Sequence, residues 1–474
     1  GGGRGARAPR RGGPDPGPGA AAAVGAALAT GAGADGVVWL LPAPPSGALL
    51  PRAVELVRAI ALAGGVRLLL VGAAGAPLGL AGLTRALGHE LDALVRLVDL
   101  GGDDHGEPAA EPAGTMAAWL LAELADTAGP STVRYRHGRR LTTRLVPADH
   151  APGLADLPDG LARLGLGPES VVLLTGGARG ITARVALALA EATGCAVELL
   201  GRSPEPVGRP DPLTASAPDA RSLRRLLVES GLRRPSEVEG RVARVLADRE
   251  IRVTLDALSR RAASVRYHQV DVRDAAAVRA VVDGVYARHG RLDGVVHGAG
   301  LVEDRLLRDK TAESFARVYE TKVAGARALA AAARPGLRFL ALFGSVAGVF
   351  GNRGQADYAA ANDALDTLAA AWATRFPDSR VVAIDWGPWR SAPLGDIGPG
   401  GGPGGGMVSP ELEREYARRG VGLIDPTAGV AACLREIAFA APAPAAIHPP
   451  APAAGLAAPA PGGSLTGDPA ACGA

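Results

Sequence analysis

VVLLTGGARGIT, residues 171–182, is the segment on which the reading of this chain turns. Its opening residues are an unbroken apolar run, which fits a strand buried on both faces of a parallel sheet. The Ala/Leu-rich stretch 180–193 that follows fits a helix. A glycine turn between strand and helix lets backbone approach a phosphate group, because free N–H groups and the helix dipole favour negative charge there. Thr175, Gly176, Gly177, Arg179, Gly180 and Ile181 are therefore the expected cofactor-loop residues.

The same alternation continues downstream. AVELLGRS (196–203) reads as the second strand, SVRYHQVDV (264–272) as the third, and LDGVVHGAG (292–300), LRFLALFGSVAG (337–348) and RVVAIDWG (380–387) as the rest. Helices are expected over 274–289, 311–333 and 355–375, and 204–218 reads as a Pro-rich loop. Residues 219–263 read as inserted helices rich in Arg/Glu pairs, a solvated flank. Strands separated by helices imply right-handed crossovers and a doubly wound parallel sheet.

An upstream stretch, about 21–165, shows an α/β pattern of its own. Strands are expected at 36–43, 66–74 and 94–100, and helices at 51–65, 78–90 and 115–127. STVRYRHGRRLTTRLVP (131–147) reads as a hairpin turning at His137-Gly138. No glycine-rich phosphate loop accompanies these strands; VGAAGAPLG, the nearest candidate, reads as an ordinary turn. The expected division is a flexible linker at 1–20, a non-cofactor-binding unit at 21–165, a catalytic unit at 166–440 and an Ala/Pro-rich linker at 441–474.

Composition narrows the classes. A net charge of +3 over 474 residues, with scattered arginines and 4% aromatics, gives little support to nucleic-acid binding. Three widely spaced cysteines form neither a disulfide framework nor a metal-ligand pattern. No stretch matches a membrane span. The Ala-rich run after Arg10-Arg11 is broken by prolines upstream and poor in Leu, so a linker is read there rather than an export signal. The expectation is a piece of a longer cytoplasmic polypeptide.

Four polar residues carry the chemistry: Lys322, Ser345, Tyr358 and Asn362. Tyr358 and Asn362 sit one helical turn apart on one face. Lys322 is one of only two lysines beside 49 arginines, as though a point charge on a flexible stem were required there. A ketone accepting hydride develops alkoxide charge and needs an acid nearby. Tyr358 is the expected acid, its pKa lowered by the Lys322 ammonium. Ser345 is expected to hydrogen-bond the carbonyl, and Asn362 to link Lys322 to bulk solvent. Arg202, after the second strand, and Arg179 suit a 2′-phosphate and thus NADPH; the competing reading is two surface arginines in an Arg-rich chain. Ser203, which ends the second strand with Arg202, is a further expected cofactor residue; Asp271 and Val272 are expected at the adenine edge, and Gly298, Ala299 and Gly300 where the cofactor passes.

In combination, TGGARGIT, HGAGLVED, FGSVAG, GNRGQADYAAAN and DWGPW resemble the ketoreductase domains of type I polyketide synthases, a branch of the short-chain dehydrogenase/reductases. VRLVDL and YRHGRRLTTRLVP resemble the truncated structural half of such domains. The resemblance covers about 21–440, and the insert at 219–263 is similar to ketoreductases of iterative synthases of the polyunsaturated-fatty-acid and enediyne types. It implies two Rossmann-like α/β subdomains, NADPH as cofactor, and a β-ketoacyl thioester on an acyl carrier protein as substrate, with other synthase domains in the same polypeptide. Asp304 and Phe350 stand where the family reads stereochemistry, implying a 3R-hydroxy product; the alternative is that Glu303 and Asp304 merely cap a helix. Three departures are visible: Thr182 for the third loop glycine, Gly344 for a common serine, and Asp385 for a common asparagine. Helix 410–419, after the Gly-rich run 398–406, reads either as a lid or as an insertion without a gating role. Two rival functions are a free-standing reductase of a small ketone and a catalytically degenerate scaffold.

Overall fold

The computed structural model describes residues 36–41, 67–72, 78–100, 112–146, 156–390, 410–418, 420–439 and 445–448. The expected helix at 51–65, the Gly-rich run 398–406 and the linker at 1–20 lie outside the described residues. The chain forms two compact units, which meet in chain order after Thr143 rather than at the expected 165, and two further short segments cross that division. Leu78–His89 belongs with the second unit, and Arg305–Phe315 with the first.

The first unit holds a five-stranded sheet in spatial order β1 (Gly36–Leu41), β2 (Arg67–Gly72), β3 (Val95–Asp99), β4 (Thr132–Arg136), β5 (Arg139–Leu141). All neighbours are parallel except β4 and β5, which form the expected hairpin. His137 and Gly138 turn it with φ of 48° and 71°, the paired positive values of a type I′ turn. A helix at Ala113–Ala125 brings Glu123 under this hairpin, where it accepts hydrogen bonds from Arg96, Tyr135 and Arg140 at 2.9, 2.8 and 2.6 Å. Arg96 is fully buried, so these charge-assisted bonds hold a carboxylate that could not lie there unpaired.

The second unit is built on a seven-stranded, wholly parallel sheet. Its order is β12-β11-β10-β9-β6-β7-β8, with β6 Val171–Thr175, β7 Ala196–Gly201, β8 Val265–Gln269, β9 Gly294–His297, β10 Phe339–Ser345, β11 Arg380–Trp386 and β12 Ala445–His448. The strand order reverses between β6 and β9, and the C-terminal ends at such a switch point form the crevice where ligands bind in open α/β sheets. Edge strand β12 lies within the stretch read from composition as a tether, and pairs in parallel with β11.

Five helices of this unit matter for the site: α1 (Leu80–Gly88), α2 (Gly180–Thr193), α3 (Pro235–Ser259), α4 (Ala312–Ala332) and α5 (Ala356–Arg375). Helix α5 carries the Tyr-Ala-Ala-Ala-Asn run, and α1 explains its alanines. A Cβ at Gly82 would lie 2.2 Å from the Ala359 carbonyl oxygen, and one at Gly79 would lie 2.2 Å from that of Ala360. Small residues on both helices therefore allow near backbone contact. Arg85 of α1 pins the approach by donating to the Gly348 carbonyl at 2.7 Å. Among the described residues no helix is long and apolar enough to cross a membrane.

Candidate active site

A cavity of about 530 Å³ opens at the switch point, within the size range of small-molecule sites. Its floor is the turn from β6 into α2. Gly176 adopts φ 71° and Gly180 φ 59°, backbone that side chains rarely accept. A Cβ at Gly176 would press on Ala299 and Gly298 at 3.2 Å, whereas beyond Gly180 there is open space. That bare backbone at a helix N-terminus is the cradle a pyrophosphate needs, so the residues fit a dinucleotide.

Of the expected cofactor residues, Gly176, Arg179, Gly180, Ile181, Arg202, Ser203, Asp271, Val272, Gly298, Ala299 and Gly300 all line the cavity. Thr175 and Gly177 do not, and their roles are in packing. A Cβ on Gly177 would sit 2.7 Å from Leu199 and 2.8 Å from Leu174. Thr175 lies beneath, its hydroxyl 2.8 Å from His297 Nδ1 and accepting the Ala299 N–H at 3.2 Å. The Asp271 carboxylate is held by Arg273 at 2.6 Å, and that bond lowers its pKa.

Thr182, the departure from the third loop glycine, has a matching partner. A Cβ at Gly298 would lie 2.2 Å from Thr182 Oγ1, so the bulk added on α2 occupies space that Gly298 leaves empty. The departure thus reshapes the packing, as an exchange of volumes across the cavity floor.

Three members of the tetrad share the cavity wall. Ser345 ends β10, Tyr358 lies in the first turn of α5, and Lys322 reaches in from α4. Lys322 is 4% exposed; its ammonium donates to the Phe343 carbonyl at 2.5 Å and lies 5.5 Å from the Tyr358 ring centre. Burial pushes its pKa down to about 8, opposed by the charges of Asp385 and Asp366. Gly300 makes room for the Lys322 stem, since a Cβ there would fall 3.2 Å from Lys322 Cε. The Ser345 hydroxyl is 3.3 Å from both the Trp386 carbonyl oxygen, to which it donates, and the Ala347 N–H, from which it accepts.

The phenol corrects one expectation. Burial pushes the Tyr358 pKa up to about 12, with hydrogen bonds from Ser345 and Asn362 pulling the other way. The anticipated lowering by the Lys322 ammonium does not govern it. A phenol held protonated through the neutral range remains an acid able to donate.

Asn362 is fully buried and outside the cavity lining; its side-chain N–H donates to the Tyr358 carbonyl one turn back, at 2.7 Å. Asp304 and Phe350 also lie outside the lining. Asp304 accepts from Gln355 at 3.0 Å; Phe350 is about half exposed, with its carbonyl oxygen 3.0 Å from His89 Nε2.

Sequence reasoning assigned no role to three contributors. His297, fully buried, is paired through Nε2 with the Lys322 carbonyl at 2.9 Å, a contact that requires the proton on Nε2 and leaves Nδ1 to accept from Thr175. Burial holds its pKa near 3, so it is a neutral strut between the strand ends and α4. Asp385 on β11 is buried with no hydrogen bond of ordinary geometry among the described residues, and burial raises its pKa and that of Asp366. A Cβ at Gly344 would lie 2.1 Å from Asp385 Oδ1, so the glycine admits this carboxyl. Glu250 comes from α3, inside the insert read as a solvated flank, yet α3 buries one face and Glu250 and Ile251 line the cavity. Its Arg/Glu composition concealed that face.

A doubly wound parallel sheet with a glycine turn at the switch point and a Lys–Ser–Tyr cluster beside it defines an oxidoreductase of the short-chain dehydrogenase/reductase type. Residues 170–391, just under half of the chain, match the family model of the KR domain. It is 32% identical over 302 residues to a polyunsaturated fatty acid synthase protein of Thraustochytrium sp., covering 60% of this chain and 10% of that protein. It is 32% identical over 304 residues to polyketide synthase ThaG of Burkholderia thailandensis, covering 62% and 4%. The chain thus spans a tenth or less of these relatives. Among solved structures it resembles the first ketoreductase of the tylosin PKS (TM-score 0.61, 25% identity, 91% of this chain and 80% of that one). It also resembles the ketoreductase from the first module of phoslactomycin biosynthesis in Streptomyces sp. HK803 (TM-score 0.56, 27% identity, 85% and 79%).

Proposed function

We propose that this chain reduces the β-keto group of an acyl thioester carried by an acyl carrier protein, uses NADPH, and yields the 3R-hydroxy product. The observation that carries the reading is one cavity whose wall holds Tyr358, Ser345 and Lys322 and whose floor is the glycine loop flanked by Arg179 and Arg202. A dinucleotide held at the Gly176–Gly180 turn would supply the hydride for the β-carbon. Tyr358 gives its proton to the carbonyl oxygen as negative charge develops there. Ser345 orients that oxygen by donating a hydrogen bond, and the Lys322 ammonium stabilises the charge on the phenol side. Asn362 holds the first turn of α5, and with it Tyr358, in place.

Two guanidiniums at the cavity, Arg179 and Arg202, favour a 2′-phosphate over a bare ribose hydroxyl. The relatives are multidomain synthases, which supports a carrier-tethered substrate, other synthase domains in the same polypeptide and a cytoplasmic location. The division into a structural and a catalytic unit remains part of this reading, with residues 144–165 and Leu78–His89 grouped with the catalytic unit and Arg305–Phe315 with the structural one. The 3R assignment rests on the segment containing Asp304 and on Phe350. The test is NADPH oxidation with a carrier-bound β-ketoacyl thioester against a simple soluble ketone, with chiral analysis of the product. Preference for the carrier-bound substrate and a 3R product is expected; preference for the free ketone, or a 3S product, rejects the corresponding part.

A further inference from the structure

Arg179 occupies the N-cap of α2 in extended backbone (φ −148°, ψ 158°) and makes no side-chain cap bond. Arginine carries only donors, so it cannot do what Ser, Asp or Asn does at that position. The missing acceptor comes from another helix. Glu250 Oε1 accepts the Gly180 N–H at 2.7 Å, and Oε2 accepts from Arg179 Nε at 3.2 Å. Glu250 is 8% exposed, and a buried carboxylate of this kind persists only where donors meet it. Arg179 is half exposed, and the bond uses Nε alone, leaving both terminal nitrogens without a partner among the described residues.

One carboxylate thus does two things at the cofactor end of the cavity. It caps the helix whose N-terminus forms the cradle, and it grips the guanidinium by its inner nitrogen while the outer fork stays available. The grip comes from α3, a helix of the insert, whose Ile251 lines the same cavity.

We propose that Glu250 is a positioning residue for cofactor specificity: by holding Arg179 through Nε it presents the guanidinium fork to the 2′-phosphate of NADPH. Resting on the NADPH reading above, it makes the insert a wall of the dinucleotide site. A negative charge near phosphates also acts against binding. NADPH and NADH share the pyrophosphate, so the ratio of their affinities cancels that part of the repulsion, while any repulsion of the 2′-phosphate works against the predicted loss.

The experiment titrates NADPH and NADH by fluorescence against wild type, Glu250→Gln, Arg179→Ala and the double variant. Glu250→Gln keeps the size of the side chain and an acceptor for Gly180, which guards against a collapsed loop. Its NADPH Kd should rise about tenfold, the loss expected for a charge-assisted bond, with NADH changed less than about twofold. In the Arg179→Ala background, Glu250→Gln should leave the ratio where Arg179→Ala alone puts it. An unchanged or increased NADPH preference in Glu250→Gln overturns the proposal, as does a further drop in the double variant. Wild type that favours NADH would instead reject the NADPH reading itself, which separates the two failures.

Discussion

The ammonium of Lys322 lies 5.5 Å from the centre of the Tyr358 ring, with both side chains at least nine-tenths buried. Burial acts on the two groups in opposite directions, raising the phenol to about 12 and lowering the ammonium to about 8. Through the neutral range the site therefore holds a protonated phenol beside a cation.

Lys322 should set the alkaline limit of turnover. As pH rises through about 8 the cation is lost, while Tyr358 keeps its proton. The kcat/KM for ketone reduction should fall about tenfold per pH unit above that point. A profile flat to pH 10 would remove the Lys322 charge from the reaction.

Asp385→Asn should move that limit. Asp385 raises the Lys322 pKa, so its neutralisation should shift the alkaline limb down by about one pH unit. The same variant tests a stability consequence. The folded pKa of Asp385 lies above the ordinary 3.8, so its burial costs nothing below that value and progressively more as pH rises toward the folded pKa. Asp385→Asn should therefore leave thermal stability unchanged near pH 4 and raise it at pH 8. Equal unfolding temperatures at both pH values would refute this.

Gly298 and Thr182 should behave as a coupled pair. Gly298→Ala places a methyl group against Thr182 Oγ1 and is expected to cost about 1–3 kcal/mol of stability. In a Thr182→Gly background the same change should cost less than about 0.5 kcal/mol, because the clash is gone. Denaturant unfolding of the four chains measures the coupling; purely additive costs would contradict it.

The parts legible in the sequence were those in which short-range pattern and chemistry coincide. The glycine loop, the succession of strands β6 to β11 along the chain and the convergence of Lys322, Ser345 and Tyr358 follow from apolar runs, turns and spacing. What stayed hidden depends on distant partners. Glu250 lies 70 residues from Gly180 and looked like one more surface charge on an Arg/Glu-rich helix. Helix α1 is amphipathic like any other, and nothing local shows that Gly79 and Gly82 seat it on the alanines of α5. The rise in the Tyr358 pKa follows from depth of burial, which spacing does not encode.

The central claim, that Tyr358 donates the proton inside this cavity, is tested most directly by Tyr358→Phe. Single-turnover NADPH oxidation by wild type and variant would be followed with a carrier-bound β-ketoacyl thioester, alongside a fluorescence titration of NADPH. A loss of at least about 100-fold in rate, with NADPH affinity within about threefold of wild type, is the expected result for removal of a general acid. Turnover within tenfold of wild type at unchanged affinity would contradict it.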